Sequence, residues 1–193
     1  MHWLVAVAFA TMLLSGTQVP ANWSLRSIFF DIHVGAAIVL AAGLLTIPVI
    51  GNGRALRRTA LDLTRMDALD RRWLKRAPAH MLAREQPPPA GRFNGGQKVN
   101  AQLSWIGLVI LYASGIAVTF MGNSPPENVI HSGMAAAMTV LIAGHVYMAV
   151  LNPATRHALR GITVGDVDAS WARHHHPRWT DLAEAEPAAD RDG

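Results

Sequence analysis

One apolar segment near the C-terminus carries the strongest structural signal in this sequence. From Val129 to Leu151 the chain reads VIHSGMAAAMTVLIAGHVYMAVL. This segment contains no Asp, Glu, Lys or Arg, and its ionisable side chains are His131 and His145. About 20 predominantly apolar residues are needed for a helix to cross the hydrocarbon core of a bilayer. The segment therefore predicts a transmembrane helix.

Three further segments have the same character, and together they predict an all-α membrane protein built as a four-helix bundle. The predicted helices cover about residues 2–19, 27–50, 99–121 and 129–151. The first segment lacks a basic start, and Thr17-Gln18-Val19 is a poor cleavage motif, so we do not expect a cleaved signal peptide. We assign residues 1–180 to the helical domain and predict a disordered cytoplasmic tail over 181–193, where the sequence is polar and acidic.

The basic residues predict the orientation of these helices. Of the seventeen Lys and Arg residues, eleven lie between Asn52 and Lys98 and five follow Asn152, which leaves Arg26 alone on the opposite side. Positively charged segments stay in the cytoplasm, so we expect cytoplasmic N- and C-termini and a cytoplasmic basic loop over 52–98. Acidic residues are interleaved with the basic ones there, which favours contact with membrane lipid over nucleic acid.

Composition limits the cofactors that this chain could hold. Hydrophobic residues make up 51% of the sequence and charged residues 16%, against about 25% charged in soluble domains. The absence of cysteine excludes disulfides, thiolate zinc sites, cysteine-ligated iron–sulfur clusters and covalent c-type haem. Nine histidines remain as the candidate metal ligands.

Four histidines lie in or at the ends of the predicted helices, where ionisable side chains are costly and often functional. His131 and His145 are 14 residues apart, which places them on one helix face and about 21 Å apart along its axis. His33 lies at the depth of His131, and His2 lies at the depth of His145. The sequence thus predicts an outer pair, His33 with His131, and an inner pair, His2 with His145.

Two histidine pairs at different depths favour two b-type haems, each with two axial imidazoles inside a helical bundle. Zinc would need three or four ligands at one point. A proton relay would need acidic residues in the helices, and Asp31 is the one candidate. Gly35 and Gly144 are small residues beside the ligands that leave room for the ring.

Several other stretches carry a family resemblance. They are His2-Trp3, Phe93-Asn94-Gly95-Gly96-Gln97-Lys98, Asn152-Pro153, Ala158-Leu159-Arg160-Gly161, Gly165-Asp166-Val167-Asp168 and Trp171-Ala172-Arg173-His174-His175. With the 14-residue histidine spacing, they make residues 2–180 similar to the cytochrome b (gamma) subunit of respiratory formate dehydrogenases. The sequence departs from that family at its start, because family members have basic residues before the first ligand histidine.

The resemblance implies an electron-transfer subunit of the bacterial inner membrane. The chain would cross this membrane several times. His33 and His131 would hold one haem b, and His2 and His145 the other. Asn94, Gly96 and His145 would contact a quinone. No catalytic residue is implied here, because formate would be oxidised by a separate molybdenum- or tungsten-dependent subunit and its electrons delivered by an iron–sulfur subunit.

Other functions remain open from the sequence. Hydrogenases and thiosulfate reductases share four-helix dihaem cytochromes b, although the loop at Asn94 and the tail at Trp171 favour formate dehydrogenase. A stand-alone cytochrome b that exchanges electrons between quinone and a small acceptor is a further alternative. A haem-free membrane anchor that only docks a partner would explain the helices but not the paired histidines.

Overall fold

The computed structural model describes residues 1–21, 25–81, 84–121 and 125–185, and all regular secondary structure within these ranges is helical. Four long helices dominate the fold: α1 (His2–Ala21), α2 (Arg26–Ile50), α6 (Gly95–Phe120) and α7 (Pro125–Val146). Shorter helices lie between and after them: α3 (Gly53–Thr64), α4 (Ala68–Lys75), α5 (Ala77–Met81), α8 (Arg160–Thr163), α9 (Ala169–His175) and α10 (Pro177–Ala185).

The four long helices confirm the predicted transmembrane segments. Each is long and apolar enough to cross a membrane. The third begins at Gly95 rather than at 99, because Asn94 caps it and extends it by one turn. The fourth begins at Pro125, a residue favoured in the first helical turn because it lacks the N–H that would be unpaired there. It is continued by a π-helical turn over Tyr147–Leu151.

The long helices form two hairpins, α1 with α2 and α6 with α7, each tightly packed through small residues. Gly43 lies against the Leu4 side chain in the first hairpin, and Gly107 lies against the Met138 side chain in the second. Small residues of this kind let membrane helices approach closely. Contacts between the hairpins are sparser, and one of them is a hydrogen bond from the Tyr112 hydroxyl to the Ala37 carbonyl (2.6 Å).

The basic segment between the hairpins, predicted as a loop, is mostly helical. Asn52 caps α3, and Asp67 caps α4 in a reciprocal box with Asp70. The Asp70 carboxylate is buried and accepts a hydrogen bond from the Lys98 ammonium group on α6 (2.6 Å). Lys98 also donates to the Arg65 carbonyl (2.9 Å). This ion pair fixes the segment against the start of the third long helix.

The chain after α7 folds back on the same end of the bundle. The Trp3 indole donates a hydrogen bond to the Ile162 carbonyl (3.2 Å), which joins the start of α1 to α8. Arg178 on α10 forms an ion pair with Asp67 (2.8 Å) at the start of α4. Helix α10 includes the first five residues of the range 181–193, and residues 186–193 of that predicted tail lie outside the described residues.

The buried pair generates a stability prediction. We expect Lys98→Met to destabilise the protein by about 3–5 kcal/mol, because it leaves the Asp70 carboxylate buried without a counter-charge. Thermal unfolding in detergent measures the loss. Lys75→Met removes the same charge from an exposed site on α4 and should leave stability within about 0.5 kcal/mol of wild type. Equal effects of the two substitutions would contradict the role of the pair.

Candidate haem sites

The structure brings the four intramembrane histidines together as the two predicted pairs. His33 on α2 faces His131 on α7, with ring centroids 6.0 Å apart and planes inclined at 71°. His2 on α1 faces His145 on α7, with centroids 6.2 Å apart and planes inclined at 49°. In both pairs one ring comes from each hairpin, so the imidazoles face each other across the gap between the hairpins.

These separations fit two imidazoles on opposite sides of one metal ion. A ring nitrogen lies about 1 Å from the ring centroid, so two nitrogens on the line between these centroids would be about 4 Å apart, longer than a hydrogen bond of about 3.2 Å. Metal–imidazole bonds are about 2.0–2.1 Å long, and two of them in line span the same 4 Å. Neutral imidazoles are also the usual ligands of a b-type haem.

Backbone and side-chain oxygens hold the rings of the outer pair from behind. Nδ1 of His33 lies 2.8 Å from the Met12 carbonyl oxygen, to which it donates. Nδ1 of His131 lies 3.0 Å from the Ser114 hydroxyl oxygen. Such contacts to the second nitrogen fix the tautomer of a metal-ligating histidine and the orientation of its ring. In each ring Nε2 remains available to a metal.

Glycines lie beside these histidines in two different ways. A Cβ atom at Gly16 would lie 3.1 Å from Cε1 of His33, and one at Gly115 would lie 3.2 Å from Cε1 of His131. These two positions let the helix backbone approach the ring. At Gly35 and Gly144 a Cβ would meet none of the described atoms within 4 Å, which agrees with the space that the sequence predicts beside the ligands.

Sequence reasoning missed the Ser-Gly dipeptides that support the outer pair. Ser15-Gly16 lies on α1 and precedes His33, and Ser114-Gly115 lies on α6 and precedes His131 at nearly the same spacing. Both serines contact Nδ1 of the histidine on the next long helix. The repeated dipeptide could have indicated these contacts from the sequence, because it occurs on the long helix that precedes each outer histidine.

The segment before α6, where the resemblance places a quinone contact, has a clear structural role. The Asn94 side-chain oxygen accepts a hydrogen bond from the Gln97 N–H, and the Gln97 side-chain oxygen accepts one from the Asn94 N–H (both 2.9 Å). A Cβ at Gly96 would lie 2.5 Å from the Trp73 ring. The cap uses the Asn94 oxygen and leaves its amide nitrogen as the group that could donate to a ligand.

Comparison with known proteins identifies the fold. A family model described as prokaryotic cytochrome b561 matches residues 1–165, a range that includes the four long helices and both histidine pairs. The chain belongs to the prokaryotic cytochrome b561 family. Membership implies a b-type haem, for which the histidine pairs supply the fitting donors. With four candidate spans, this cytochrome is a multi-pass protein of the bacterial inner membrane.

Curated relatives of this cytochrome are subunits of formate dehydrogenases. It is 31% identical over 107 residues to the formate dehydrogenase cytochrome b556(fdo) subunit of Escherichia coli K12, a match covering 51% of this chain and 49% of the relative. It is 31% identical over 97 residues to the formate dehydrogenase cytochrome b556 subunit of Haemophilus influenzae (46% and 40%). The chain spans about half the length of these relatives, and the matches confirm the family resemblance.

The remaining histidines of this cytochrome lie outside the bundle. Among the described residues no group of three or more metal-ligating side chains could hold a further ion. His175 stacks on Trp171, with ring centroids 4.6 Å apart. His176 is buried, and its Nδ1 donates to the Gly91 carbonyl (2.7 Å), so it fastens the C-terminal helices to the segment before α6.

The environment of His176 predicts that this docking depends on pH. Burial lowers the pKa of His176, and the hydrogen bond to Gly91 only partly opposes that shift. The neutral ring is the docked form, so docking is complete above about pH 6.5, the ordinary histidine pKa, and weakens as the pH falls below it.

Limited proteolysis of the purified protein between about pH 8 and pH 5 checks this dependence. We expect the C-terminal helices to become more susceptible in acid. His176→Asn, whose amide keeps a donor near Gly91 without titrating, should remove that change. His174→Asn alters an exposed neighbour and should keep it. An unchanged acid response in His176→Asn would contradict the assignment.

Proposed function

We propose that this chain is the membrane cytochrome b subunit of a formate dehydrogenase, which passes electrons from an iron–sulfur partner subunit to quinone. One observation carries the proposal: two facing histidine pairs lie at two depths of a single four-helix bundle. Two bound b-type haems would supply one-electron carriers there. The curated relatives named as formate dehydrogenase cytochrome b556 subunits support the choice of partner enzyme.

Each histidine pair has a defined part in this proposal. His33 and His131 hold the outer haem, and His2 and His145 hold the inner one. The outer rings are half-buried between the hairpins, whereas the inner rings are exposed at the end of the bundle near the basic segment. Formate itself is oxidised on a molybdenum- or tungsten-dependent partner, and no residue of this chain acts on it.

The orientation of the bundle follows from charge and from contacts at one end. The hydrogen bond from Trp3 to Ile162 and the ion pair of Arg178 with Asp67 join the N-terminus, the basic segment and the C-terminal helices. The basic segment and the chain after Asn152 hold sixteen of the seventeen basic residues, and basic regions are retained in the cytoplasm. We therefore assign both termini and the inner pair to the cytoplasmic side.

Haem quantitation of variants tests the ligand assignment. We expect two haems b per chain in the purified full-length protein by the pyridine haemochromogen assay. Each pair needs both imidazoles, so His131→Ala and His2→Ala should each remove one haem. His157→Ala changes an exposed histidine outside the bundle and should retain both. A haem-free wild-type protein, or an unchanged haem content in His131→Ala, would show the assignment to be wrong.

We place the quinone beside Asn94, Gly96 and His145, at the end of the bundle that carries the inner pair. Helix α6 begins at Gly95 and α7 turns into its π-helical end just after His145, so the two segments lie at the same end. The Asn94 amide nitrogen can donate to a quinone carbonyl, while the side-chain oxygen remains in the helix cap. The Trp73 ring against Gly96 supplies an apolar wall.

Asn94→Asp separates the two roles of this residue. Aspartate is an equally good N-cap, but it cannot donate the hydrogen bond, which contributes about 0.5–1.5 kcal/mol. We expect quinone reduction per haem to slow by about two- to tenfold, with haem content and formate-driven haem reduction unchanged. Asn52→Asp makes the same charge change at the cap of α3 and should not slow turnover. Normal turnover per haem in Asn94→Asp would remove this loop from the quinone site.

A further inference from the structure

Ser114 lies on α6 and contacts the His131 ring of the outer pair. What this contact can do for a haem rests on the proposed role of His131 as a haem ligand. The residue is 7% exposed. Its hydroxyl oxygen lies 3.0 Å from Nδ1 of His131 and 2.7 Å from the Ile110 carbonyl oxygen. It therefore connects the imidazole on α7 to the backbone of the neighbouring helix.

The direction of these hydrogen bonds follows from the number of hydrogens available. A carbonyl oxygen can only accept, so the single hydroxyl hydrogen of Ser114 is donated to Ile110. The serine oxygen can then act only as an acceptor toward His131, and Nδ1 of His131 must carry the hydrogen. A neutral imidazole has one N–H, so Nε2 of His131 is left with its lone pair free to bind a metal.

Ser15 on α1 makes a weaker contact in the corresponding position. Its oxygen is 3.4 Å from Nδ1 of His33, and its hydrogen is donated to the Thr11 carbonyl (2.6 Å). The main acceptor of His33 is the Met12 carbonyl at 2.8 Å, which no side-chain substitution removes. The Leu111 carbonyl also interacts with His131, so His131 is held by a backbone group and by the Ser114 hydroxyl at 3.0 Å, whereas the shorter contact of His33 is with the backbone.

We infer that Ser114 is a positioning residue for the outer haem: it sets the tautomer and ring orientation of His131 and strengthens Nε2 as a ligand. An acceptor on the second nitrogen increases the electron donation of an imidazole to its metal, and such partners affect both metal affinity and potential. Greater donation stabilises oxidised iron. Loss of the Ser114 hydroxyl should therefore raise the midpoint potential of the outer haem.

Redox titration of full-length variants tests this inference. In Ser114→Ala we expect the potential of one haem component to move upward, and that component should be the one absent from His131→Ala. The other component should not move. Apparent haem affinity of the outer site should fall by about 10- to 100-fold, as is typical when such a partner is lost. Ser15→Ala, with Met12 still in place, should shift neither quantity appreciably.

A second pair of variants covers the case in which the alanine variant does not fold. Ser114→Thr and Ser114→Val have nearly the same shape and differ in the hydroxyl, so Thr should keep the wild-type potential and Val should raise it. Equal potentials in these two, or an unshifted outer component in Ser114→Ala, would overturn the role of Ser114. If His131→Ala itself retains two haems, the ligand assignment fails first, and this inference fails with it.

Discussion

An imidazole inside a membrane needs a partner for both of its nitrogens, because the hydrocarbon core contains no water to supply one. In the outer pair the protein satisfies one nitrogen of each ring, through the Met12 carbonyl and the Ser114 hydroxyl. The two ring centroids lie 6.0 Å apart, a separation that suits a shared metal. One helix cannot present both rings to a common point, so each pair draws its two histidines from different helices, and here these belong to different hairpins.

Helix packing follows from the same requirement. Within each hairpin, Gly43 and Gly107 bring the helices into contact with large apolar side chains. Gly16 and Gly115 instead bring the backbone close to the ligand rings, so that the oxygens behind the rings come within hydrogen-bonding distance. Between the hairpins contacts are sparser. Small residues therefore serve two ends: some close the hairpins, and others bring the backbone up to the ligand rings.

Much of this arrangement could be predicted from the sequence because it depends on two regular quantities. Hydropathy identifies four spans, and the helical repeat relates His131 to His145 along one face of α7. The contacts that hold the rings were not predictable in this way, because the bond between Ser114 and His131 depends on how two helices are rotated against each other. The same holds for the buried pair of Lys98 with Asp70, which joins a helix of the basic segment to the start of α6.

The two pairs differ in their surroundings, and this difference suits the two ends of the proposed electron-transfer path. The outer rings are half-buried and anchored by oxygens on the neighbouring helices, which fixes their geometry in a region of low dielectric constant. The inner rings are exposed, and within the described chain no hydrogen bond reaches either of them. They lie at the end where Trp3 meets the segment after α7, near the capped start of α6. In the proposed function, quinone reduction consumes protons and is placed at this end beside the basic segment, whereas electrons enter at the rigidly held outer pair.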